Sequence, residues 1–216
     1  MNQFGVIFDM DGTLIDSQRI FVPSWEQAGR KQGIIGMGTD DLPLACGMND
    51  VGWKGFLMER HPNLDLPTFI EDVRAYNRIH GRLAFMPGAE ELLRFLQEKG
   101  VPMAIASGSC REEITDNMTK LGVLDLFDVL VGGEEVTRGK PEPDIFLLAA
   151  ERLGIAPQDC FVVEDSQNGV RSAYAAETRC IGVPDVAVFS EEVKSMLFAE
   201  AADLHEVQAL LAAEMV

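Results

Sequence analysis

Short apolar runs alternate with amphipathic segments over most of the chain, and the two patterns predict strands and helices respectively. The apolar runs stop at Gly, Pro or polar residues, which is typical of strands buried on both faces of a parallel sheet. They predict strands at 4–8, 102–106, 129–131, 160–163 and 179–183, with a short strand near Ala202. Apolar residues at helical spacing predict helices at 88–99, 111–121, 143–153, 169–176, 191–198 and 207–213. Repeated strand–helix units imply a parallel sheet with helices on both faces.

The segment after the first strand departs from this alternation because its patterns are helical only. Its predicted helices lie at 17–32, at about 50–60 and at 67–80. The predicted fold class is therefore α/β. A Rossmann-like parallel sheet core is formed by residues 1–15 and 83–216, and an all-helical domain is inserted at 16–82.

Composition narrows the class of partner. Lys and Arg total 18 against 35 Asp and Glu, so the formal charge of −17 opposes binding to nucleic acid or to an anionic membrane. No apolar run approaches the ~18 residues of a membrane span. Residues 1–4 contain no basic region or cleavage signal, so we expect a cytoplasmic location. A small phosphate ester stays compatible with the charge because a bound cation can set the field in a closed site. The oligomeric state is left open.

The cysteines and histidines indicate neither disulfides nor a zinc site. The cysteines have no paired spacing and are interpreted as buried free thiols: Cys46, Cys110, Cys160 and Cys180. The histidines form no i,i+4 pair: His61, His80 and His205.

Two acidic residues, Asp9 and Asp11, directly follow the first predicted strand. Carboxylates at this spacing repel one another and lose hydration together unless a cation lies beside them. With Mg²⁺ bound, one can stay ionised as a nucleophile while the other carries a proton for a leaving group. Gly12 allows a sharp turn, and Thr13 offers a hydroxyl to the loop. A calcium loop or a solvated turn is the alternative, but the EF-hand spacing of acidic residues is absent.

Polar residues also follow later strands, at the edge of the sheet where ligands bind in open parallel sheets. Ser107 and Gly108 offer a hydroxyl and backbone N–H groups to a phosphate, although taken alone a helix N-cap is the simpler role for this Ser. Lys140 lies in a stiff Gly-Lys-Pro turn, either as a surface charge or as a group that neutralises phosphoryl oxygens and a carboxylate. Glu164 and Asp165 end another strand, and their hard oxygens suit Mg²⁺.

Together these motifs resemble those of the haloacid dehalogenase superfamily. The resemblance is carried by Asp9-Met10-Asp11-Gly12-Thr13, Ser107-Gly108-Ser109, Lys140-Pro141-Glu142-Pro143-Asp144 and Glu164-Asp165-Ser166-x-x-Gly169. It spans the whole chain, and the insertion is similar to the helical cap of the β-phosphoglucomutase-like phosphatase branch. The resemblance implies a Mg²⁺-dependent hydrolase that cleaves a small phosphorylated metabolite through an aspartyl-phosphate intermediate.

The resemblance also implies a role for each motif residue. Asp9 would be the nucleophile, and Asp11 would be first the general acid and then the base for water. The residues implied to hold the phosphoryl group are Ser107, Gly108 and Lys140. The residues implied to ligate Mg²⁺ are Asp9, Asp11 through its backbone carbonyl, Asp165 and, directly or from behind the ligands, Glu164. The strands that lead to Asp9 and Asp165 would lie side by side.

Within the superfamily, two other branches compete with the phosphatase. True dehalogenases lack the second acid of the first motif, so Asp11 argues against them. β-Phosphoglucomutases have a His where this chain has Phe21, and a Gly-x-x-Arg where it has Gly47-Met48-Asn49-Asp50. These differences predict hydrolysis of single-phosphate substrates rather than isomerisation of a sugar phosphate. The cap residues predicted to set specificity are Phe21, Trp25, Gly47 and Asp50.

A response-regulator receiver domain is the alternative from another class, because it also combines a phosphorylatable Asp, flanking acids and a Lys on a parallel sheet. Its order differs, since the acid pair lies at the first strand and the acceptor Asp on a later one. It also has no helical insertion of this size.

Overall fold

Six parallel strands form one sheet in the computed structural model, which describes residues 4–215. The strands are β1 (Gly5–Phe8), β2 (Met103–Ala106), β3 (Val129–Val131), β4 (Cys160–Glu164), β5 (Arg179–Gly182) and β6 (Ala199–Glu200). Their order across the sheet is β3-β2-β1-β4-β5-β6, which confirms the predicted parallel sheet. From β1 the chain adds β2 and β3 on one side, and it then crosses over to add β4, β5 and β6 on the other side. The order of strands therefore reverses between β1 and β4, and α/β folds form ligand sites at such positions.

Ten α-helices accompany the strands in the described part of the chain. They are α1 (Gln18–Lys31), α2 (Leu42–Ala45), α3 (Asp50–Arg60), α4 (Leu66–His80), α5 (Ala89–Glu98), α6 (Arg111–Lys120), α7 (Asp144–Leu153), α8 (Gln167–Ala175), α9 (Glu191–Lys194) and α10 (Leu204–Ala213). Both faces of the sheet are covered, since α5, α6 and α10 contribute to one apolar core and α7, α8 and α9 to the other. Alternate residues of β1 serve the two cores: Phe8 packs in the first and Ile7 in the second.

Helices α1 to α4 pack around an apolar cluster of their own. Its most deeply buried members are Ala28, Met37, Leu57 and Phe69. Residues 16–82 contain no strand, in agreement with the helical pattern of the sequence. The exact limits of the insertion, at 15/16 and 82/83, stay a prediction.

One part of the insertion was not predicted. Residues Met37–Asp41 form a π-helical turn that leads directly into α2. Buried Asp41 accepts hydrogen bonds from Arg60 and, at 2.7 Å, from His61. Contacts with the far end of α3 therefore stabilise this segment, and no local periodicity signals it.

The last helices differ from their predicted limits. Helix α9 ends at Lys194 rather than at 198, and α10 begins at Leu204 rather than at 207. Asp203 sets the start of α10, because its carboxylate accepts the backbone N–H groups of His205 and Glu206.

All four cysteines are free thiols, as predicted, but only Cys160 and Cys180 are buried. Cys46 and Cys110 are half-buried. Within residues 4–215, no helix combines the length and apolar character that crossing a bilayer requires. Residues 1–3 and residue 216 lie outside the described residues. The expectation that the chain starts without a leader segment concerns residues 1–4, so it falls mostly on residues that are not described.

Candidate active site

Lys140 joins the carboxyl ends of three neighbouring strands. Its Nζ lies 2.6 Å from Oδ1 of Asp9, 2.6 Å from Oε1 of Glu164 and 3.2 Å from the carbonyl oxygen of Ala106. The strand register explains the meeting, because Phe8 pairs with Ile105 on one side and Val163 on the other. Lys140 is only 4% exposed, so it is not a solvated surface charge.

The carboxylate of Glu164 is held in one orientation. Its Oε2 accepts hydrogen bonds from the backbone N–H of Ser166 at 2.8 Å and from the hydroxyl of the same residue at 2.9 Å. A Cβ at Gly169 would overlap this carboxylate, which explains a Gly at that point of the motif. Both oxygens of Glu164 are therefore occupied, one by Ser166 and the other by Lys140.

The loop after β2 contacts the second acid of the first motif. The hydroxyl of Ser109 donates to Oδ2 of Asp11 at 2.8 Å. The hydroxyl of Ser107 accepts the backbone N–H of Ser109 at 3.2 Å. The N-cap of α6 is Cys110, so Ser107 does not serve as that cap. Ser107 is buried and lines the cavity next to the loop after β1, so its polar groups can contact a ligand there.

Neutral donors surround the carboxylate of Asp165. Thr13 Oγ1 donates to its Oδ1 at 3.1 Å, and Gln18 Nε2 donates to its Oδ2 at 2.5 Å. The same Gln18 nitrogen lies 3.4 Å from the carbonyl oxygen of Asp11. Asp165 is 1% exposed, and Lys140 pairs with other carboxylates instead. Thr13 thus connects the loop after β1 to the end of β4.

The buried carboxylates are poorly compensated. Burial raises the pKa of Asp9 to about 7 even though Lys140 opposes the shift. Burial likewise raises the pKa of Asp11 and, well above its ordinary value, that of Asp165. Burial would lower the pKa of Lys140, but the charges of Asp9 and Glu164 more than reverse this effect. If Asp9 is to act as a nucleophile, its carboxylate must be ionised. Further positive charge beside it would favour the ionised form.

The oxygen donors at this point fit Mg²⁺ in their chemistry. Two carboxylates, Asp9 and Asp165, and the carbonyl oxygen of Asp11 are hard ligands of the kind that Mg²⁺ prefers. Within residues 4–215, no three His, Cys, Asp or Glu side chains are already spaced as a metal-binding group. The set of donors described here is different in kind, because it consists of two carboxylates and one backbone carbonyl oxygen.

A cavity of about 740 Å³ connects the strand ends with the helical insertion. Asp9, Asp11 and Ser107 line the end that belongs to the core. The predicted specificity residues also line it: Phe21, Trp25, Gly47 and Asp50. The structure therefore brings the predicted cap residues to one cavity with Asp9, Asp11 and Ser107, whereas Lys140 does not line it and contacts Asp9 instead.

Asp50 is not an isolated negative charge. It forms an ion pair with Lys54 one helical turn further on, and its Oδ1 accepts from Trp53 Nε1 at 3.1 Å. Lys54 lines the same cavity. A ligand in the cavity therefore meets the Asp50–Lys54 pair rather than the charge of Asp50 alone.

The loop before α3 rests on the core at two points. The backbone of Met48 passes so close to Gly108 that a Cβ there would lie 2.5 Å from the Met48 carbonyl oxygen. Asn168, in α8, donates to the carbonyl oxygens of Leu44 at 3.0 Å and Cys46 at 2.9 Å. The insertion is thereby seated against the loops that carry the candidate catalytic groups.

Two site residues were missed by sequence reasoning. Ser109 stood within a motif that the sequence analysis used, but its partner Asp11 belongs to another strand end. Gln18 gave no signal, because it contacts Asp165 at a separation of 147 residues and begins a helix assigned to the insertion.

The chain is similar in sequence and in fold to known proteins. The model of a family of hydrolases, described as haloacid dehalogenase-like hydrolase, matches residues 5–177. Hexitol phosphatase A of Escherichia coli (strain K12) is 37% identical over 183 residues, which cover 83% of this chain and 82% of that protein. The bifunctional riboflavin kinase/FMN phosphatase of Arabidopsis thaliana is 35% identical over 187 residues, 84% of this chain, and the chain spans 48% of its length. The crystal structure of a putative β-phosphoglucomutase from Thermotoga maritima is similar with a TM-score of 0.73 at 28% identity, covering 98% of this chain and 99% of that one.

Proposed function

The chain belongs to the haloacid dehalogenase-like hydrolases, and we propose that it is a Mg²⁺-dependent phosphatase that cleaves a small phosphomonoester through an aspartyl phosphate on Asp9. The observation that carries the proposal is the buried pair of Asp9 and Lys140, 2.6 Å apart, of which Asp9 lines the end of the cavity. Family membership removes the receiver-domain alternative. The phosphatase names of the two sequence relatives support the reaction class.

In the first proposed step, a carboxylate oxygen of Asp9 attacks the phosphorus of the bound ester. The bond from phosphorus to the leaving oxygen breaks, and Asp11 donates its proton to that oxygen. Burial favours the protonated acid because it raises the pKa of Asp11. The hydroxyl of Ser109, 2.8 Å from Oδ2, holds Asp11 in position.

In the second step, Asp11 takes a proton from water as the water oxygen attacks phosphorus. The bond between phosphorus and Asp9 breaks, so the product is inorganic phosphate and both acids return to their starting states. Lys140 and Ser107, with the backbone N–H of Gly108, hold the phosphoryl oxygens. Fixed positive charge and donors at these oxygens stabilise the charge that develops during transfer.

The carboxylates of Asp9 and Asp165 and the carbonyl oxygen of Asp11 would hold Mg²⁺. The ion would supply positive charge beside the phosphoryl oxygens and keep Asp9 ionised. We assign Glu164 to a different task, because both of its oxygens already bind Lys140 or Ser166. Glu164 would position Lys140 toward the nucleophile.

Residues 16–82 would act as a cap over this chemistry. Phe21 and Trp25 line the cavity from the insertion and would exclude bulk water while the ester is bound, before the single attacking water of the second step enters. A mutase is the second candidate, because the Thermotoga structure carries that name. A mutase must protect its phosphoaspartate from water and grip a second phosphate. Phe21 has no polar group that could control access of water to the intermediate. Lys54 is already paired with Asp50, so it is not a free cation for a second phosphate. Both features favour hydrolysis.

The proposal is tested with a panel of phosphate monoesters that includes a hexitol phosphate and FMN. The purified chain is assayed for phosphate release with Mg²⁺, then in excess EDTA, and then after Mg²⁺ is restored. We expect release from at least one ester, its loss on chelation and its recovery with the metal. Full turnover in EDTA, or no release from any ester, would contradict the proposal.

A further inference from the structure

The Gln18 amide occupies an unusual position at the candidate metal site. Its Nε2 lies 2.5 Å from Oδ2 of Asp165 and 3.4 Å from the carbonyl oxygen of Asp11. These are two of the three oxygen donors assigned above to Mg²⁺. One side-chain N–H group thus faces the oxygens that a cation would need.

The surroundings of the amide hold it there. Gln18 is 2% exposed, and a Cβ at Gly12 would overlap its Nε2. On the other side, its Oε1 accepts a long hydrogen bond from Cys46 Sγ at 3.6 Å. The amide is therefore packed between the loop after β1 and the loop of the insertion.

An N–H group and a cation cannot share this place. Both are attracted to the oxygens of Asp165 and Asp11, and the positive end of the N–H dipole is repelled by a divalent ion. Burial without a cation is costly for the Asp165 carboxylate, which is 1% exposed, and the hydrogen bond from the amide reduces that cost in the metal-free protein.

We propose that Gln18 is a displaceable plug of the metal site: its amide satisfies Asp165 in the metal-free protein and must withdraw when Mg²⁺ binds, so that it lowers the affinity for the ion. This inference rests on the proposed function. It concerns metal binding alone and is tested without substrate, so that its failure is distinct from failure to release phosphate.

The test is Mg²⁺ binding by isothermal titration calorimetry to the wild-type chain and to Gln18→Met and Gln18→Leu. Both variants retain much of the side-chain volume but remove the N–H donor. We expect Mg²⁺ to bind each variant roughly tenfold more tightly, the scale of one hydrogen bond to a charged group. The thermal shift caused by Mg²⁺ should increase in parallel. Gln32→Leu, which makes the same chemical change within the insertion, should leave the affinity unchanged.

Weaker or unchanged binding in the Gln18 variants would overturn the proposal, because the amide would then merely position Asp165. Circular dichroism checks the fold of each variant. Loss of the fold in both would also overturn it, since a plug is not required for folding. Absence of Mg²⁺ binding to the wild-type chain would do the same.

Discussion

At the scale of single residues, the account depends on the charge balance around Asp9. Burial raises its pKa to about 7, and one lysine, Lys140, serves both Asp9 and Glu164. The proposed nucleophile is therefore held where its charge is costly without further cations. Burying these charges makes folding less favourable. The same positive groups would stabilise the phosphoryl oxygens during transfer.

The substitution Asp9→Asn removes the nucleophile but keeps an oxygen that can accept from Lys140. We expect kcat to fall by at least ~10⁴-fold, the scale of losing a catalytic nucleophile, with an unchanged circular dichroism spectrum. Phosphate release is the measurement, and Asp116→Asn on the exposed face of α6 is the control. Substantial activity in Asp9→Asn would mean that another group attacks the phosphorus.

Lys140→Met tests the buried cation. We expect kcat/KM to fall by at least ~100-fold, because a positive charge at the transferring group is lost. The free energy of unfolding should fall by ~3–5 kcal/mol, since buried Asp9 and Glu164 lose their partner. Urea unfolding measures the second effect.

The control is Lys120→Met, which removes an exposed pair with Asp116. It should change stability by less than ~1 kcal/mol. Equal effects of the two lysine substitutions would mean that Lys140 contributes no more than an exposed ion pair does.

At the scale of elements, the apolar pattern predicted the strands and most helices because Gly and Pro mark their ends. The acids were found for the same reason, since each lies at or just after the end of a strand. The pattern missed Met37–Asp41 and α2, where the chain is held by Asp41 and its partners on α3. It missed Gln18 because a contact between distant elements leaves no local trace. It also left out the pairing of Asp50 with Lys54, although residues four apart share one face of the predicted helix.

The contact between the insertion and the loop after β2 gives an element-scale prediction. In Gly108→Ala the new methyl would meet backbone atoms of Met48, at 2.5 Å from the carbonyl oxygen. Backbone cannot rotate away as a side chain can, so the loop must shift and the cap close imperfectly. We expect a loss of ~10–100-fold in kcat/KM, as for a small misplacement of catalytic groups.

Gly55→Ala in α3 is the matched control, because nothing lies within 4 Å of a Cβ there. It should leave kinetics unchanged and stabilise the helix by up to ~1 kcal/mol. Unchanged kinetics in Gly108→Ala would show that the close approach has no part in closure.

At the scale of the whole molecule, we propose that the residues of the insertion determine whether the ester is hydrolysed or isomerised. We supply β-glucose 1-phosphate with a trace of the 1,6-bisphosphate and follow both glucose 6-phosphate and free phosphate. We expect free phosphate to exceed the isomer. Asp50→Arg should improve the use of bisphosphates by only a few-fold, because Lys54 already offsets part of a repulsion of about 1 kcal/mol. Efficient formation of glucose 6-phosphate would mean that this account of the cap is wrong.

Rapid quenching can trap the aspartyl phosphate proposed to form on Asp9. The enzyme is mixed with its best ester and Mg²⁺, quenched in acid within one turnover and treated with borohydride, which reduces an acyl phosphate to an alcohol. Peptide mass spectrometry then locates the change. The account predicts homoserine in place of Asp9 and an intact Asp11. Homoserine at another acid, or phosphate release with no reducible intermediate at any time point, would contradict it.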